Sequence, residues 1–422
     1  MRQILALTLL LAPLRAFAQQ TPPAADSSTP APASAEDRIK ALEDRLSKIE
    51  GAPAPVRINS FNPSIGMAID AIVREYKGSA NFSLRAAELN LEAPIDPFLK
   101  GWAVITGSNQ GIDLEEAAMQ TTKLPYSLQF TAGRFFAPFG RFSQWHDHEL
   151  PMVDRPNSIN AYVGGEGQAD GVQLRYLVPT PFFLEAIAVT SNKLGTDNNR
   201  VSNTTLVPMS QWTHLGRLHA SADLSDSISA DLGASEAWTP ASSYCIVGGV
   251  VTTTCRLADS WRTLSGADLT LRYQPSSGGL YHGVIWGTEV MQNDEQGFNP
   301  LTLTPTGRVH TYSGYTNIET KMGRSTRIGA FADLTALPDT AKRDYFTRSV
   351  AGYASYEFSE FNRIRIEYEH VSNNFSGTLG GIPGTDYGLN DLIAFRPGDI
   401  VMVQWTTVLG YHVHGFRGRW GT

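Results

Sequence analysis

The sequence predicts an all-β fold, an antiparallel transmembrane β-barrel of about sixteen strands (between about 14 and 18) behind a short periplasmic coiled-coil helix. Three observations carry this. An export signal opens the chain, apolar and polar residues alternate with period two from Phe61 onward, and short and long connections follow each other in turn.

At the start, Arg2 precedes an apolar run from Ile4 to Leu14 and then Ala16-Phe17-Ala18. This is the layout of a secretory signal peptide, residues 1–18, cut before Gln19. No later stretch has the ~18 consecutive apolar residues of a membrane helix, which leaves a soluble secreted fold or a barrel. A net charge of −7 lacks the basic footprint of a nucleic-acid binder. Cys245 and Cys255 flank Gly248-Gly249. In an exported chain they are expected to form a disulfide that pinches a loop, worth roughly 2–3 kcal/mol by loop closure.

Residues 19–34 are rich in Pro, Ala, Ser and Thr and read as an extended tether. In residues 35–51, Ile39, Leu42, Leu46 and Ile49 form an a/d seam, with Arg38 and Arg45 at g and Glu43 and Glu50 at e. Helices this short are marginal alone, so the coiled coil is expected to rest on an oligomeric body, a homotrimer. A solvated spacer helix ending at Gly51 is the other reading.

The barrel is expected over residues 61–416. In FNRIRIEYEHV, Ile364, Ile366 and Tyr368 share one face, and Arg363, Arg365, Glu367 and Glu369 share the other. IGMAIDAIV, GVQLRYLV, ADLTLRY and DIVMVQWTTVL repeat the alternation. The apolar face would be the core of a soluble sandwich but the lipid face of a barrel. Connection lengths decide. Tight ones at 93–97, 123–125, 178–181, 224–227, 275–279, 323–325 and 359–361 interleave with mostly long ones, including 138–170, 193–210, 238–260, 292–307 and 376–398. Periplasmic turns and external loops of a membrane barrel segregate in this way, and a sandwich has no reason to. With both termini periplasmic, 138–170 is the third external loop and the cysteines fall in the fifth. Phe416 is the expected terminal aromatic residue for the barrel-assembly machinery, with 417–422 as an extension that includes Trp420.

The stretch GRFFAPFGRF…VDRP, through Arg134, Phe135, Pro138, Phe139, Gly140 and Asp154-Arg155, resembles the phosphate-selective porins, the porin O/P family. LRAAELNLEAPIDP, the His-x-His before VDRP, and GGEG bring it closer still to outer-membrane proteins often labelled zinc-regulated TonB-dependent receptors. The resemblance implies a passive outer-membrane channel. By analogy of position with general porins, loop 138–170 would fold inward and constrict it. A TonB-dependent receptor needs a plug domain before a roughly 22-stranded barrel, and the segment preceding Phe61 is too short to supply one. Loop 138–170 has no Lys, and its Arg141 and Arg155 face Asp147, Glu149, Asp154, Glu166 and Asp170, which argues against phosphate attraction.

The candidate pore-lining and constriction residues are Arg134, Arg141, Arg155, Arg175, Arg272, Arg363, Arg365, Glu367 and Glu369. The charges of FNRIRIEYEHV would either set a transverse field across the lumen or pair with one another to stiffen the wall. Arg155 is expected to anchor the loop through Asp154. His146 and His148, two apart beside Asp147 and Glu149, are candidate metal ligands, with zinc as the metal. The alternative is hydrogen bonding within a folded loop. His412 and His414 form a second pair near the C-terminus. Gly164-Gly165-Glu166-Gly167 lacks the context of a phosphate loop and reads as a turn. No Gly-x-Ser-x-Gly or catalytic triad can be placed, so no enzyme, catalytic residue or cofactor is expected. The sequence therefore reads as a porin for small polar or ionic solutes in the outer membrane of a Gram-negative bacterium. Its expected partners are itself, outer-membrane lipid and, through the helix, peptidoglycan. A metal-binding uptake protein and a structural or adhesive envelope protein are the alternatives.

Overall fold

The computed structural model describes residues 63–109, 111–195, 208–240, 244–247, 250–256, 260–298, 305–336, 346–374 and 397–410. The signal peptide, tether and coiled coil lie outside the described residues, as do His412, His414, Phe416 and the C-terminal extension.

The first strands are β1 (Ser64–Tyr76), β2 (Ser79–Pro94), β3 (Leu99–Ser108), β4 (Gly111–Thr121), β5 (Leu128–Phe136), β6 (Gln168–Leu177), β7 (Phe183–Ser191), β8 (Thr213–Ser225) and β9 (Ile228–Thr239). A short hairpin follows, β10 (Tyr244–Val247) and β11 (Val250–Arg256). Then come β12 (Arg262–Tyr273), β13 (His282–Phe298), β14 (Pro305–Met322), β15 (Thr326–Ala336), β16 (Phe346–Ser359), β17 (Asn362–Asn373) and β18 (Gly398–Gly410). All except β10 and β11 form one closed 16-stranded antiparallel barrel. Pairing of β1 with both β2 and β18 closes it, so no barrel strand keeps an unpaired edge and the backbone is satisfied without water.

Burial is inverted relative to a soluble protein. On β17, Ile366 and Tyr368 are 53% and 50% exposed, whereas Arg365 and Glu367 are 1% and 0% exposed. The same holds around the barrel, where Met67, Leu218, Leu232, Val290, Val350 and Val401 face out while Asp70, Arg217, Asp268, Glu289 and Gln404 are buried. At the turn end the outer surface carries exposed Phe98, Tyr126, Phe182, Tyr281, Phe358 and Phe361. Phe82, Trp238, Tyr312 and Tyr368 stand toward the loop end. An apolar band between two aromatic girdles is the surface of an outer-membrane barrel. No helix among the described residues is long and apolar enough to cross a membrane, a criterion that says nothing of a β-barrel.

The connections segregate as the sequence predicts, with two differences. β1 joins β2 through Lys77-Gly78, and β3 reaches β4 between Ser108 and Gly111, so the first two connections at the loop end are also tight. Lys77 and Gly78 both have positive φ, at 52° and 81°, the geometry of a tight hairpin. In the fifth loop the cysteines lie on a hairpin, Cys245 on β10 and Cys255 on β11. Their side chains lie outside the described residues. If they are joined, the protein run with and without reductant will differ in mobility, and Cys245→Ser will abolish the difference.

Two register shifts re-aim side chains. A shift between Asp70 and Ala71 leaves Arg85 as the extra residue on β2. One between Val104 and Ile105 leaves Glu115 as the extra residue on β4. Bulges bend the strand and redirect its side chains; here Glu115 and Glu116 are both buried, which strict alternation would forbid.

The lipid-facing assignment has a direct test. Ile366→Arg places a charge on the outer face in mid-strand and is expected to cost about 2–4 kcal/mol in bilayers. Denaturant titration in lipid vesicles measures this, and a neutral effect would mean that the face meets water.

Candidate functional site: the lumen and its inner loop

Between β5 and β6, residues 137–167 fold into the barrel. This inner loop contains the short helix α1 (Asn157–Tyr162), which contacts β13, β14 and β15. Its composition explains its course. Phe139, Phe142, Leu150, Met152, Ile159, Tyr162 and Val163 are buried in one cluster with the wall residues Leu264, Met291, Tyr315, Phe331 and Tyr353. Phe142 stacks on Tyr315 with ring centroids 5.5 Å apart. Val153 enters a second cluster with Ile72, Val371, Ile400 and Met402. Each such side chain contributes roughly 1.5–3 kcal/mol on burial, so the loop has its own core against the inside of the wall.

Gly140 shows how close the approach is. It has φ 62°, and a Cβ there would collide with the carboxylate of Glu289. Glycine both adopts this backbone and makes room for the acid. Glu289 then accepts the Arg141 N–H at 3.1 Å and the Tyr315 hydroxyl at 3.0 Å, while Gly140 N–H donates to Ser235 at 3.2 Å.

The wall holds the loop largely by its backbone. Arg363 donates to the carbonyl of His148, and Arg365 to the carbonyls of Met152 and His148. Glu367 accepts the Val153 N–H at 2.6 Å. Asp333 accepts the Ser158 N–H at 3.0 Å, and Arg262 donates to the Tyr162 carbonyl at 2.7 Å. Arg85 reaches the Val153 carbonyl at 2.7 Å and Asp70 at 2.6 Å. Asp70 also accepts from Gln404 and Thr406.

These contacts revise the roles read from sequence. Arg363, Arg365 and Glu367 are buried rather than facing open water, and each bonds a peptide group of the loop. Glu369 is buried beside them. Arg155 does not pair with Asp154, because neighbouring side chains diverge. Arg155 turns into the loop, where it binds the carbonyls of Phe142 and Trp145 and pairs with Asp147 at 3.0 Å. Asp154 turns to the wall and pairs with Arg74 and Arg85. Arg134 is not on the lumen side. It shares a face with exposed Phe130 and pairs with Asp170, opposite it in register, at 2.6 Å and 2.9 Å. Arg141 does face the lumen, bonded to Asn317 and lying 4.3 Å over the Phe142 ring. Arg175 and Arg272 face the lumen near the turn end, partly open, paired with Glu185 and Asp231. Gly164 and Gly165 have positive φ, at 92° and 82°, as the turn reading requires.

The histidines meet residues that sequence reasoning did not connect to them. His146 Nδ1 lies 3.1 Å from Glu115 and 3.8 Å from Glu88, and its Nε2 lies 3.5 Å from Glu116. His148 Nδ1 lies 3.0 Å from Glu88, and the two imidazoles stack at 5.4 Å. Burial works against charge on His146, yet Glu115 and Glu88 outweigh it and hold its pKa well above the usual imidazole range. His148 is raised too, against burial, chiefly by Glu88. Glu166, buried and repelled by Glu115 and Asp147, is held well above the carboxylate range. Asp147, which keeps an open side, is lowered, because Arg155 and Arg85 outweigh its partial desolvation. A signal was present in the sequence, since Glu88, Asn90 and Glu92 alternate with Leu89 and Leu91, but nothing there joins them to His146.

No protein-family model matches the chain. An uncharacterized protein of Aquifex aeolicus (strain VF5) is 36% identical over 110 residues, which cover 26% of this chain and 24% of that protein. Among solved structures, OmpT, an outer membrane protein of Vibrio cholerae, in its trimer form has TM-score 0.51 at 10% identity, covering 83% of this chain and 100% of its own. OprB of Pseudomonas putida has TM-score 0.51 at 9% identity, covering 88% and 97%. The outer membrane channel DcaP of Acinetobacter baumannii has TM-score 0.50 at 10% identity, covering 83% and 96%.

The fold is that of outer-membrane porins.

The loop's core and clamps predict how it fails. Phe142→Ala should loosen the loop by about 3–5 kcal/mol, and Arg365→Ala strands buried carbonyls at roughly 1–3 kcal/mol each. In both variants the barrel should still assemble, with raised and noisier ion current in planar bilayers. Current indistinguishable from wild type would show that the loop does not limit passage.

Proposed function

We propose that the protein is a passive outer-membrane channel for small polar or ionic solutes, with the inner loop as its constriction. One observation carries this reading: a closed barrel with an outward apolar band has a charged lumen that, among the described residues, is crossed by the folded loop 137–167. Barrels of this size enclose aqueous passages, and diffusion through one needs no cofactor or energy source. The position of the loop and the motifs around Pro138-Phe139-Gly140 and Asp154-Arg155 support kinship with the porin O/P group.

Accessible charge at the constriction bears on solute sign. Arg155, Arg363 and Arg365 are buried in loop contacts, whereas the Asp147 side chain keeps 43% of its surface. Asp147 thus adds exposed acid to a passage in which Arg141 is bonded to Asn317 and the other three arginines are buried, which favours cations over anions such as phosphate. Self-association is part of the proposal, supported by the trimer form of OmpT.

Purified protein in planar bilayers should give discrete ohmic conductance steps, and a salt gradient should give a reversal potential of cation-selective sign. Asp147→Asn should shift that potential toward anions. Absence of conductance steps would remove the channel reading, while anion selectivity in the wild type would remove only the charge assignment.

A further inference from the structure

The seam between the inner loop and the wall of β2, β3 and β4 contains a set of donors that loop anchoring alone does not explain. Glu88, Glu115 and His146 each offer one ligand atom, and these atoms all lie within 4.8 Å of one another. Zinc–nitrogen and zinc–oxygen bonds of about 2.0–2.2 Å in a tetrahedron space the donors by roughly 3.3 Å. The observed separations of 3.1 Å and 3.8 Å from His146 Nδ1 to the two carboxylates bracket that spacing.

The groups behind these donors are arranged as an outer shell. Glu115 accepts from the Thr106 hydroxyl through its other oxygen. Glu88 meets His148 Nδ1 at 3.0 Å through its other oxygen. Glu116, 3.5 Å from His146 Nε2, accepts the Trp102 indole N–H at 2.7 Å. Outer partners of this kind orient first ligands and tune their affinity.

A second observation concerns a buried amide on the same strand as Glu88. Asn90 is 0% exposed, and neither atom of its carboxamide has a hydrogen-bond partner among the described residues. It lies on the lumen face of β2 two residues from Glu88, opposite Val104, which in turn pairs with Glu116 on β4. A buried amide with no partner is costly, and its oxygen is a hard donor suited to a cation.

We propose that Glu88, Glu115 and His146 bind one divalent metal ion of the zinc type, fastening the inner loop to the β2–β4 wall. An imidazole nitrogen beside two carboxylates selects a borderline metal over magnesium or calcium, which prefer oxygen alone. The ion ties a loop residue to two different strands. Binding does not depend on whether the barrel conducts, so this proposal and the channel reading fail separately.

Full-length protein, folded in detergent and stripped with chelator, is titrated with zinc chloride by calorimetry, and with magnesium chloride in parallel. One zinc per chain is expected, with magnesium at least about 100-fold weaker. Glu115→Gln and Glu88→Gln should each weaken zinc by at least about ten-fold, whereas His412→Ala/His414→Ala should leave it unchanged. Heat-modifiable gel mobility reports folding of each variant. Should the carboxylate variants not fold, Thr106→Val, which removes only an outer hydrogen bond, is expected to weaken zinc about 10–100-fold. No zinc heat in the wild type, magnesium binding as tight as zinc, or zinc binding lost only in His412→Ala/His414→Ala would overturn the proposal.

Discussion

Arginines of the far wall grip the inner loop by its peptide carbonyls, and most of the interior depends on that grip. Arg363 and Arg365 are fully sequestered, and an isolated buried cation is expensive unless it is paired and hydrogen-bonded. A loop that turns its carbonyls toward them meets that requirement, and Glu367 does the same for a loop N–H. Because the grip is on backbone, it sets the path of the loop rather than the identity of its side chains. These are left to build a core, as Phe139, Phe142 and Leu150 do, or to face the passage, as Asp147 does.

Two apolar environments coexist in one chain. The outer band of each strand dissolves in lipid, so exposed Ile366 or Val350 incurs no penalty there. The loop's aromatics instead pack on inward positions such as Leu264, Phe331 and Tyr353, which are exceptions to the polar lining. Those exceptions mark where the wall receives the loop. Elsewhere the lumen is polar, with cross-strand ion pairs such as Arg175 with Glu185 and Arg327 with Glu357. In this way the wall separates a docked sector from a wet one.

The barrel was legible in the sequence because a strand with one face in lipid must alternate, and alternation is local. Connection parity was equally legible, since both ends of each hairpin are read along the chain; even the place of the inner loop after the fifth strand follows from counting. The excess acid around His146 and His148 was visible as composition. The extra pair of tight connections, at Lys77-Gly78 and beyond Ser108, carries its own turn residues in Gly78 and in Gly107-Ser108-Asn109-Gln110-Gly111, but breaks this short are easily absorbed into the flanking alternation.

Local pattern along the chain was enough to set the architecture and to pick out the segment that enters the lumen. Tertiary structure decided where each charge is used. Arg134 looked like a channel residue, yet strand parity puts it on the outer face; Asp154 and Arg155 are neighbours in sequence but part company in space. Glu115 joins Glu116 inside only because of a bulge, and Glu88 reaches His148 across sixty positions of chain. Periodicity is a property of one strand and survives in the sequence. A contact between loop and wall depends on closure of the whole barrel, and nothing short of the closed ring specifies it.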